Sequence, residues 1–197
     1  MTIIQPLDLN ALAPYVSEGA FPDYASKDFR QFFAGRDDLH GILEYLLGQV
    51  TTSLHLNMYG YDDERLNDLV MAAVENPNIE CLITLDKSQA GGVHEKRLLQ
   101  SDAAKDPEGF KTRFVIGQSA THQISHTKGF VANGAFACSG SANWSESGEG
   151  TFVIPGRAGG PGYKAQNNTM AVYTCAYAVG RFKEELILEH KAAGGLK

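Results

Sequence analysis

The chain of 197 residues lacks several features that would place it in a special class of proteins. It has only three cysteines, Cys81, Cys138 and Cys175, which lie far apart in apolar runs and argue against a disulfide framework. No run approaches the roughly 20 apolar residues that span a bilayer, and the first residues lack the basic and apolar regions of a secretory signal. We therefore expect buried thiols in a soluble, cytoplasmic protein without stable membrane association.

Basic residues are also scarce, since 17 lysines and arginines stand against 23 acidic residues and give a formal net charge of -6. Tight binding of nucleic acid depends on neutralising phosphates with lysine and arginine, so this balance argues against a strongly nucleic-acid-binding protein. The charge is uneven, however: residues 1–75 have 4 basic and 12 acidic residues, whereas residues 109–181 have 6 basic and 2 acidic residues. An anionic partner is therefore compatible with the second half of the chain.

Hydrophobic periodicity predicts helices and strands in turn. The predicted helices are 37–47, 62–75, 93–104 and 176–191, and the predicted strands are 53–59, 79–85, 114–116, 127–132, 135–139 and 169–173. Asn133-Gly134 joins two of the strands as a two-residue hairpin turn. This order predicts an α/β fold with a mixed, mostly parallel sheet.

A hydrophobic fraction of 43% is ordinary for a globular domain. We expect one domain over residues 36–197, with residues 1–35 packed on it as an N-terminal extension. The glycine- and proline-rich stretch 148–162 predicts a loop. Arg157 and Lys164 make this loop either a substrate arm or a solvated insertion, and the sequence does not choose between the two.

Polar residues of unusual type surround the predicted hairpin. His126 and Lys128 are two apart on a strand and therefore project on the same side. Beyond the hairpin, a strand of small residues leads into a short polar segment that can aim Ser141, Asn143 and backbone N–H groups at one point. A cation, an imidazole and neutral donors around one point predict a phosphate site.

These segments resemble the motifs of a known family. The first segment, His126-Thr127-Lys128 through Asn133-Gly134, resembles the H-x-K-x-x-x-x-D-G motif of the phospholipase D superfamily. The second, Gly140-Ser141-Ala142-Asn143, resembles the G-S-x-N motif of the same superfamily. The resemblance is in particular to small bacterial nucleases with a single such motif. Leu85-Asp86-Lys87-Ser88-Gln89 and Asn167-Asn168-Thr169 also resemble stretches of those nucleases. The resemblance extends over about residues 36–191, and it implies a sheet flanked by helices on both faces.

The resemblance also implies roles for individual residues. His126 would attack the phosphorus and form a phosphohistidine, while a second histidine protonates the leaving oxygen and then activates water. Because the chain has one motif, the second His126 would come from another copy, in a homodimer with a shared site. Lys128, Ser141 and Asn143 would hold the non-bridging oxygens. No cofactor or metal is implied, and no cluster of metal ligands is visible in the sequence.

The sequence departs from the motifs at two positions. Asn133 replaces the aspartate of the first motif, and Asn167, next to Asn168, stands where the nucleases carry the glutamate that orients the nucleophilic imidazole. Asp86, Glu146 or Glu149 are candidates to replace that glutamate. Asn133 also suits the hairpin turn itself, because asparagine tolerates a positive φ.

Other candidates for the site are less defined. His122 lies four residues before His126 and either lines the cleft or is a surface histidine. Trp144 is either a packing anchor or a platform for a base. Asp86 either caps the next helix or faces the cleft, and Arg157 lies in the predicted loop.

Three functions are compatible with these residues. The first is a metal-independent nuclease that cleaves DNA or RNA through a phosphohistidine. The second is a phospholipid hydrolase of the same chemistry, ranked lower because no basic amphipathic helix is visible. The third is a catalytically degenerate dimer that binds phosphodiester backbones, which the two asparagine departures would favour.

Overall fold

The computed structural model describes residues 7–118, 124–151 and 164–195, and these form one seven-stranded sheet with helices against it. The strands are β1 (Phe29–Phe33), β2 (Ser53–Met58), β3 (Glu80–Asp86), β4 (Phe114–Gly117), β5 (Lys128–Ala132), β6 (Phe136–Gly140) and β7 (Thr169–Tyr173). The α-helices are α1 (Leu39–Leu47), α2 (Glu64–Glu75), α3 (Val93–Lys105), α4 (Pro107–Arg113), α5 (Glu146–Glu149) and α6 (Ala176–Ala192). A 3₁₀ helix, Leu9–Tyr15, precedes them.

The strand order is β1-β7-β6-β5-β2-β3-β4. The predicted mixed sheet is confirmed, but it is less parallel than expected. Only β2, β3 and β4 are parallel neighbours, whereas β1, β7, β6, β5 and β2 pair antiparallel in turn. The hairpin is the reason, since it reverses the chain between β5 and β6, and β7 and β1 continue the antiparallel pattern.

Helices cover both faces of the sheet, as the resemblance implied. On β5, Phe130 packs into the larger apolar core, which contains residues of α1 and α2. The next residue, Val131, points to the other face and packs with Val179 and Leu186 of α6. Alternate residues of a strand face opposite sides, so this one strand separates the two cores.

The local signals for helix and turn agree with the structure. Asp63 is the N-cap of α2, where its side chain accepts a hydrogen bond from the amide of Leu66, and α2 ends at Glu75, directly before Asn76-Pro77. Asn133 has a φ of 56° in the turn between β5 and β6. This conformation strains most residues but is accessible to asparagine.

The N-terminal part contains a strand that the sequence did not predict. β1 pairs with β7 along the edge of the sheet, so this portion of the predicted extension belongs to the sheet itself. Its exposed positions include Phe29 and Phe33, while Arg30 is buried and donates to the carbonyl of Phe29. Phe32 is buried as expected, but exposed phenylalanines on the outer face and a buried arginine on the inner face obscure the usual alternation, which is why periodicity missed this strand.

Other features differ from the sequence expectations in detail. Cys81 and Cys138 are buried as expected, but Cys175 is exposed at the start of α6. The predicted loop 148–162 begins inside α5, and residues 152–162 lie outside the described residues. In the part of the chain that the structure describes, no helix has the length and apolar character needed to cross a membrane.

Candidate active site

The predicted phosphate site lies at one edge of the sheet, where β2 and β3 end and β5 begins. Lys128 is the first residue of β5 and is paired with Met58, the last residue of β2. His126 comes two residues earlier and is exposed, whereas Lys128 is only 6% exposed. The structure therefore exposes His126 to solvent and buries Lys128 two residues further along the chain.

Tyr59 holds these two side chains together. Its ring meets the imidazole of His126 edge to face, with centroids 4.6 Å apart, and the Nζ of Lys128 lies 4.8 Å from the centre of the same ring. Lys128 also donates a hydrogen bond of 2.8 Å to the carbonyl of His126. Burial lowers the pKa of Lys128, and the charge of Asp86 opposes that shift. No sequence pattern predicts this role for Tyr59, which lies 67 positions before His126.

Buried polar side chains fix the backbone that carries His126. Asp86, at the end of β3, accepts a 2.6 Å hydrogen bond from the amide of Ser125 and a 2.8 Å bond from the amide of Ser88. The hydroxyl of Ser125 is in turn bonded to Asn57 of β2. Asp86 is fully buried and does not cap α3, whose N-cap is Gly92. It therefore orients the peptide before His126.

A second, half-buried carboxylate fixes the same segment from α6. Glu189 of α6 accepts a 2.7 Å hydrogen bond from the hydroxyl of Thr127 and another from the side-chain amide of Asn57. Burial raises the pKa of Glu189, although these hydrogen bonds oppose the rise. Ser125 and Thr127, on both sides of His126, are thus tied to the sheet and to α6. The sequence missed Glu189, because it lies 62 residues from its partner.

Ser141 reaches the same edge from the neighbouring strand. Ser141 directly follows Gly140, the last residue of β6, and β6 runs antiparallel to β5, so the end of β6 lies on the side where β5 begins. The hydroxyl of Ser141 donates a 3.0 Å hydrogen bond to the Oδ1 of Asn168. Asn168 also donates to the carbonyl of Gly148 at 2.7 Å. The structure therefore places Asn168 as the residue that orients Ser141.

Asn143 is positioned by close contact with the end of β2. The amide of Trp144 donates to the carbonyl of Gly60 at 2.9 Å, which draws the two segments together. A Cβ at position 60 would lie 2.9 Å from the Cγ of Asn143, so only glycine leaves room for this side chain. Its Oδ1 is buried and has no hydrogen-bond partner among the described residues.

A cleft of about 300 Å³ opens beside Asn143. Its lining includes Asp62, Gln89, His94 and Glu95, and it contains no lysine or arginine among the described residues. Burial, together with the charges of Asp62 and Asp86, raises the pKa of Glu95 to about 8. The lining of the cleft is therefore polar and acidic on the side next to Asn143.

Not every predicted site residue lies at this edge. Asn133 is at the far end of β5, where its Oδ1 accepts from the amides of Thr51 and Thr52 and its Nδ2 donates to the carbonyl of Gln49. Asn133 was a candidate to bind or orient substrate because it lies in the first motif, but its side chain instead joins the hairpin turn to the segment before β2. His122 and Arg157 lie outside the described residues.

Two further candidates lie near the site without an observed role in it. Trp144 is buried and stacks on Tyr61 at 5.6 Å, so it acts as a packing anchor and offers no surface to a base. Asn167 is exposed beside Asn168.

None of the three carboxylates suggested as replacements for the missing glutamate bonds the imidazole of His126 in the described part of the chain. Asp86 binds backbone amides, Glu146 is exposed and lines a separate cleft, and Glu149 binds His40. Within one copy of the described chain, none of these three carboxylates therefore replaces the glutamate that would orient the imidazole of His126.

The contact between Glu149 and His40 belongs to a cluster that the sequence did not reveal. The Nδ1 of His40 lies 2.6 Å from Glu149 and 3.3 Å from Asp63, and one ligand atom from each residue lies within 4.8 Å of the others. This corrects the expectation that the chain contains no group of metal ligands. The three residues come from distant parts of the sequence, so no local spacing predicts the cluster.

Comparison with known proteins identifies the fold. No protein-family model matches the sequence, and no curated protein matches it. Among solved structures, Nuc from Salmonella typhimurium, described as a phospholipase D family member, is similar with a TM-score of 0.63 and 12% identity over 84% of this chain and 96% of that chain. NucT from Helicobacter pylori is similar with a TM-score of 0.60 and 12% identity over 85% and 98% of the two chains.

A longer enzyme shares the same fold. Phosphatidylserine synthase from Haemophilus influenzae has a TM-score of 0.56 and 14% identity, and the match covers 87% of this chain and 40% of that chain. Identities this low establish architecture alone, but the three similar structures agree with one another and with the mixed, helix-flanked sheet described above. The chain therefore has the fold of the phospholipase D superfamily.

Proposed function

We propose that the protein is a metal-independent phosphodiesterase that cleaves nucleic acid through a phosphohistidine at His126. The observation that carries this proposal is the exposed imidazole of His126, which contacts the same Tyr59 ring as the ammonium group of Lys128. Ser141 enters the same edge of the sheet from the neighbouring strand. A nucleophile, a cation and neutral donors around one point suit the charge that develops on a phosphodiester during displacement.

The reaction would proceed in two displacements. In the first, an imidazole nitrogen of His126 forms a bond to phosphorus, the bond from phosphorus to the leaving oxygen breaks, and a second histidine gives that oxygen a proton. In the second, the same histidine takes a proton from water, the water oxygen bonds to phosphorus, and the bond from phosphorus to nitrogen breaks. Lys128 has three N–H donors and uses one on the carbonyl of His126, so donors remain for a non-bridging oxygen.

A shared site in a homodimer would supply the second histidine. Three of the other described histidines are occupied or buried: His40 is bound to Glu149, His190 to Thr84, and His55 is buried in the core. His94 is exposed and lines the cleft next to Asn143, and its replacement is therefore the control for this assignment. A two-fold axis near His126 would bring the partner's His126 to the opposite side of the phosphate. This arrangement also agrees with the size of the chain, which covers nearly all of Nuc and NucT but only 40% of the longer phosphatidylserine synthase.

Mixing active and inactive copies tests the shared site. Wild-type protein and His126→Ala protein are unfolded together in varying proportions and refolded, so that the copies pair at random. Because each site would need both histidines, activity is expected to fall as the square of the wild-type fraction. A linear decrease, or a monomer by light scattering at assay concentrations, would contradict the shared site while leaving cleavage itself untouched.

Nucleic acid is the preferred substrate because the region that carries the motif is the basic part of the chain. Residues 109–181 have 6 basic and 2 acidic residues, although the whole chain is acidic. Local positive charge attracts a polyanion to the site, whereas the acidic first third would limit indiscriminate binding. Contacts to phosphate do not read bases, so little sequence preference is expected.

A phospholipid is the second candidate substrate, and one observation favours it. The cleft next to Asn143 is lined by Asp62 and Glu95 without a lysine or arginine among its described residues, which suits an amine-bearing headgroup better than a second phosphate. The similarity to phosphatidylserine synthase extends over 87% of this chain, but that likeness concerns the fold.

One panel of substrates decides between these candidates. Plasmid, single-stranded DNA, RNA and phosphatidylcholine vesicles are incubated at 20 °C with wild-type and His126→Ala protein in excess EDTA. We expect the wild type to cleave nucleic acid in EDTA. Turnover of vesicles alone would shift the assignment to a phospholipid hydrolase, and cleavage that requires added magnesium would exclude the mechanism. Tight, salt-dependent DNA binding without cleavage would indicate the degenerate binding protein.

A further inference from the structure

A largely buried cluster of His40, Asp63 and Glu149 joins three helices and includes none of the residues that would contact the phosphate. His40 lies on α1, Asp63 caps α2 and Glu149 ends α5. The Nδ1 of His40 is 2.6 Å from the Oε2 of Glu149 and 3.3 Å from the Oδ2 of Asp63. One imidazole nitrogen and carboxylate oxygens from separate elements therefore converge on one point.

The other polar atoms of Asp63 and His40 contact residues outside the cluster, so their converging atoms face one another. The Oδ1 of Asp63 accepts from the amide of Leu66 at 2.7 Å, which leaves Oδ2 for the cluster. The Nε2 of His40 faces Glu44 at 3.7 Å, and Glu44 is itself bonded to Arg65 at 2.7 Å. A carboxylate behind a histidine fixes the imidazole tautomer whose lone pair points to a metal ion.

The charge and the burial of the cluster call for a cation. Glu149 is fully buried, and its Oε1 has no hydrogen-bond partner among the described residues. With both carboxylates ionised beside one protonated histidine, the cluster would have one buried negative charge without compensation, and such a charge is costly in a protein interior. A divalent ion bound by the two carboxylates and a neutral histidine makes the cluster neutral.

We propose that His40, Asp63 and Glu149 bind a divalent transition-metal ion, best matched by Zn²⁺. Each residue would contribute one ligand atom, and a water molecule would complete the four-coordinate site. Ligand atoms of a tetrahedral zinc site lie about 3.3 Å apart. The Nδ1 of His40 and the Oδ2 of Asp63 are already 3.3 Å apart. The distance from the same Nδ1 to the Oε2 of Glu149 is 2.6 Å and would increase by less than about 1 Å.

The ion would stabilise the fold and take no part in the cleavage chemistry. It would join α1 and α2 to α5, which directly follows the segment that carries Asn143 and Trp144. The site therefore stands independently of the proposed phosphodiesterase, and its test relies on metal content and thermal stability.

Zinc titration of the untagged, metal-free protein tests the site. We expect one equivalent of Zn²⁺ per chain to bind with a Kd below about 1 μM. The same addition would raise Tm by about 5–10 °C once free zinc exceeds the Kd 100-fold. Co²⁺ in place of Zn²⁺ would give the visible absorption bands of a tetrahedral site. Absence of stoichiometric binding and of a Tm rise in the wild type would overturn the proposal, whatever the variants do.

Two isosteric variants and one matched control locate the ion. Glu149→Gln and His40→Gln are expected to weaken zinc binding by at least about 100-fold and to remove the Tm rise. Glu80→Gln serves as the control, because Glu80 also faces a histidine, His55, at 3.5 Å but has no contact with the cluster. Zinc binding by folded Glu149→Gln and His40→Gln that equals the wild type would place the ion elsewhere and contradict the site.

Discussion

Replacement of His126 by alanine is expected to lower kcat/KM for phosphodiester cleavage by at least about 10⁴-fold, because it removes the atom that bonds to phosphorus. The fold should be unaffected, since the imidazole is exposed and the segment around it is held through Ser125 and Thr127. Cleavage is measured in excess EDTA with the substrate that the panel identifies, and circular dichroism verifies folding.

His94→Ala is the matched control for this substitution. His94 is an exposed histidine that lines the cleft next to Asn143, but it is not held beside Lys128. We expect its replacement to change kcat/KM by less than about 10-fold. Trapping of a base-stable, acid-labile phosphate adduct in the wild type and in His94→Ala, but not in His126→Ala, would identify the nucleophile. Residual cleavage above about 1% in His126→Ala would show that another group attacks phosphorus.

Much of the candidate site was accessible from the sequence because its signals are local. The alternation of strand residues places His126 and Lys128 on one side. Asn133-Gly134 predicts the hairpin whose second strand leads to Ser141. Both signals depend on neighbours within a few residues, so they can be recognised without knowledge of the fold. The central helices and strands were predictable for the same reason.

The parts that hold the site in place were not predictable, because they join residues that are distant in sequence. Glu189 meets Thr127 across 62 positions, and Glu149 meets His40 across 109. Glu149 had been considered as a partner of His126, yet the chain uses it for His40. No spacing rule connects such residues, since only the packing of α6 and of the cluster helices brings them together.

The edge strand β1 could not be predicted for a different reason. Its inward Arg30 and outward Phe29 oppose the usual relation between polarity and burial, so pattern reasoning assigned the region to an extension. Arg30 is accommodated inside because its guanidinium lies 4.3 Å from the ring centre of Phe21 and bonds to the side chain of Asn10. Cation–π and hydrogen-bond contacts of this kind depend on tertiary structure.

The contact between Gly60 and Asn143 gives the second large effect. Gly60→Ala would place a Cβ 2.9 Å from the Cγ and 3.0 Å from the Cβ of Asn143, distances that require movement. The side chain of Asn143 would give way more readily than the two backbones, which are joined by the hydrogen bond from Trp144 to Gly60. A displacement of about 1 Å at a group that binds the phosphate costs roughly 10²-fold in rate, so kcat should fall by about that factor.

A neighbouring glycine and a double variant separate this effect from a general disturbance of the cleft. Gly91→Ala lies in the loop before α3, where an added Cβ meets no atom within 4 Å, and it should leave kcat unchanged. If Gly60→Ala acts through Asn143, adding it to Asn143→Ala should produce no further loss, because the displaced group is already absent. Additive losses in the double variant, or full activity in Gly60→Ala, would mean that Asn143 does not contact the reacting phosphate.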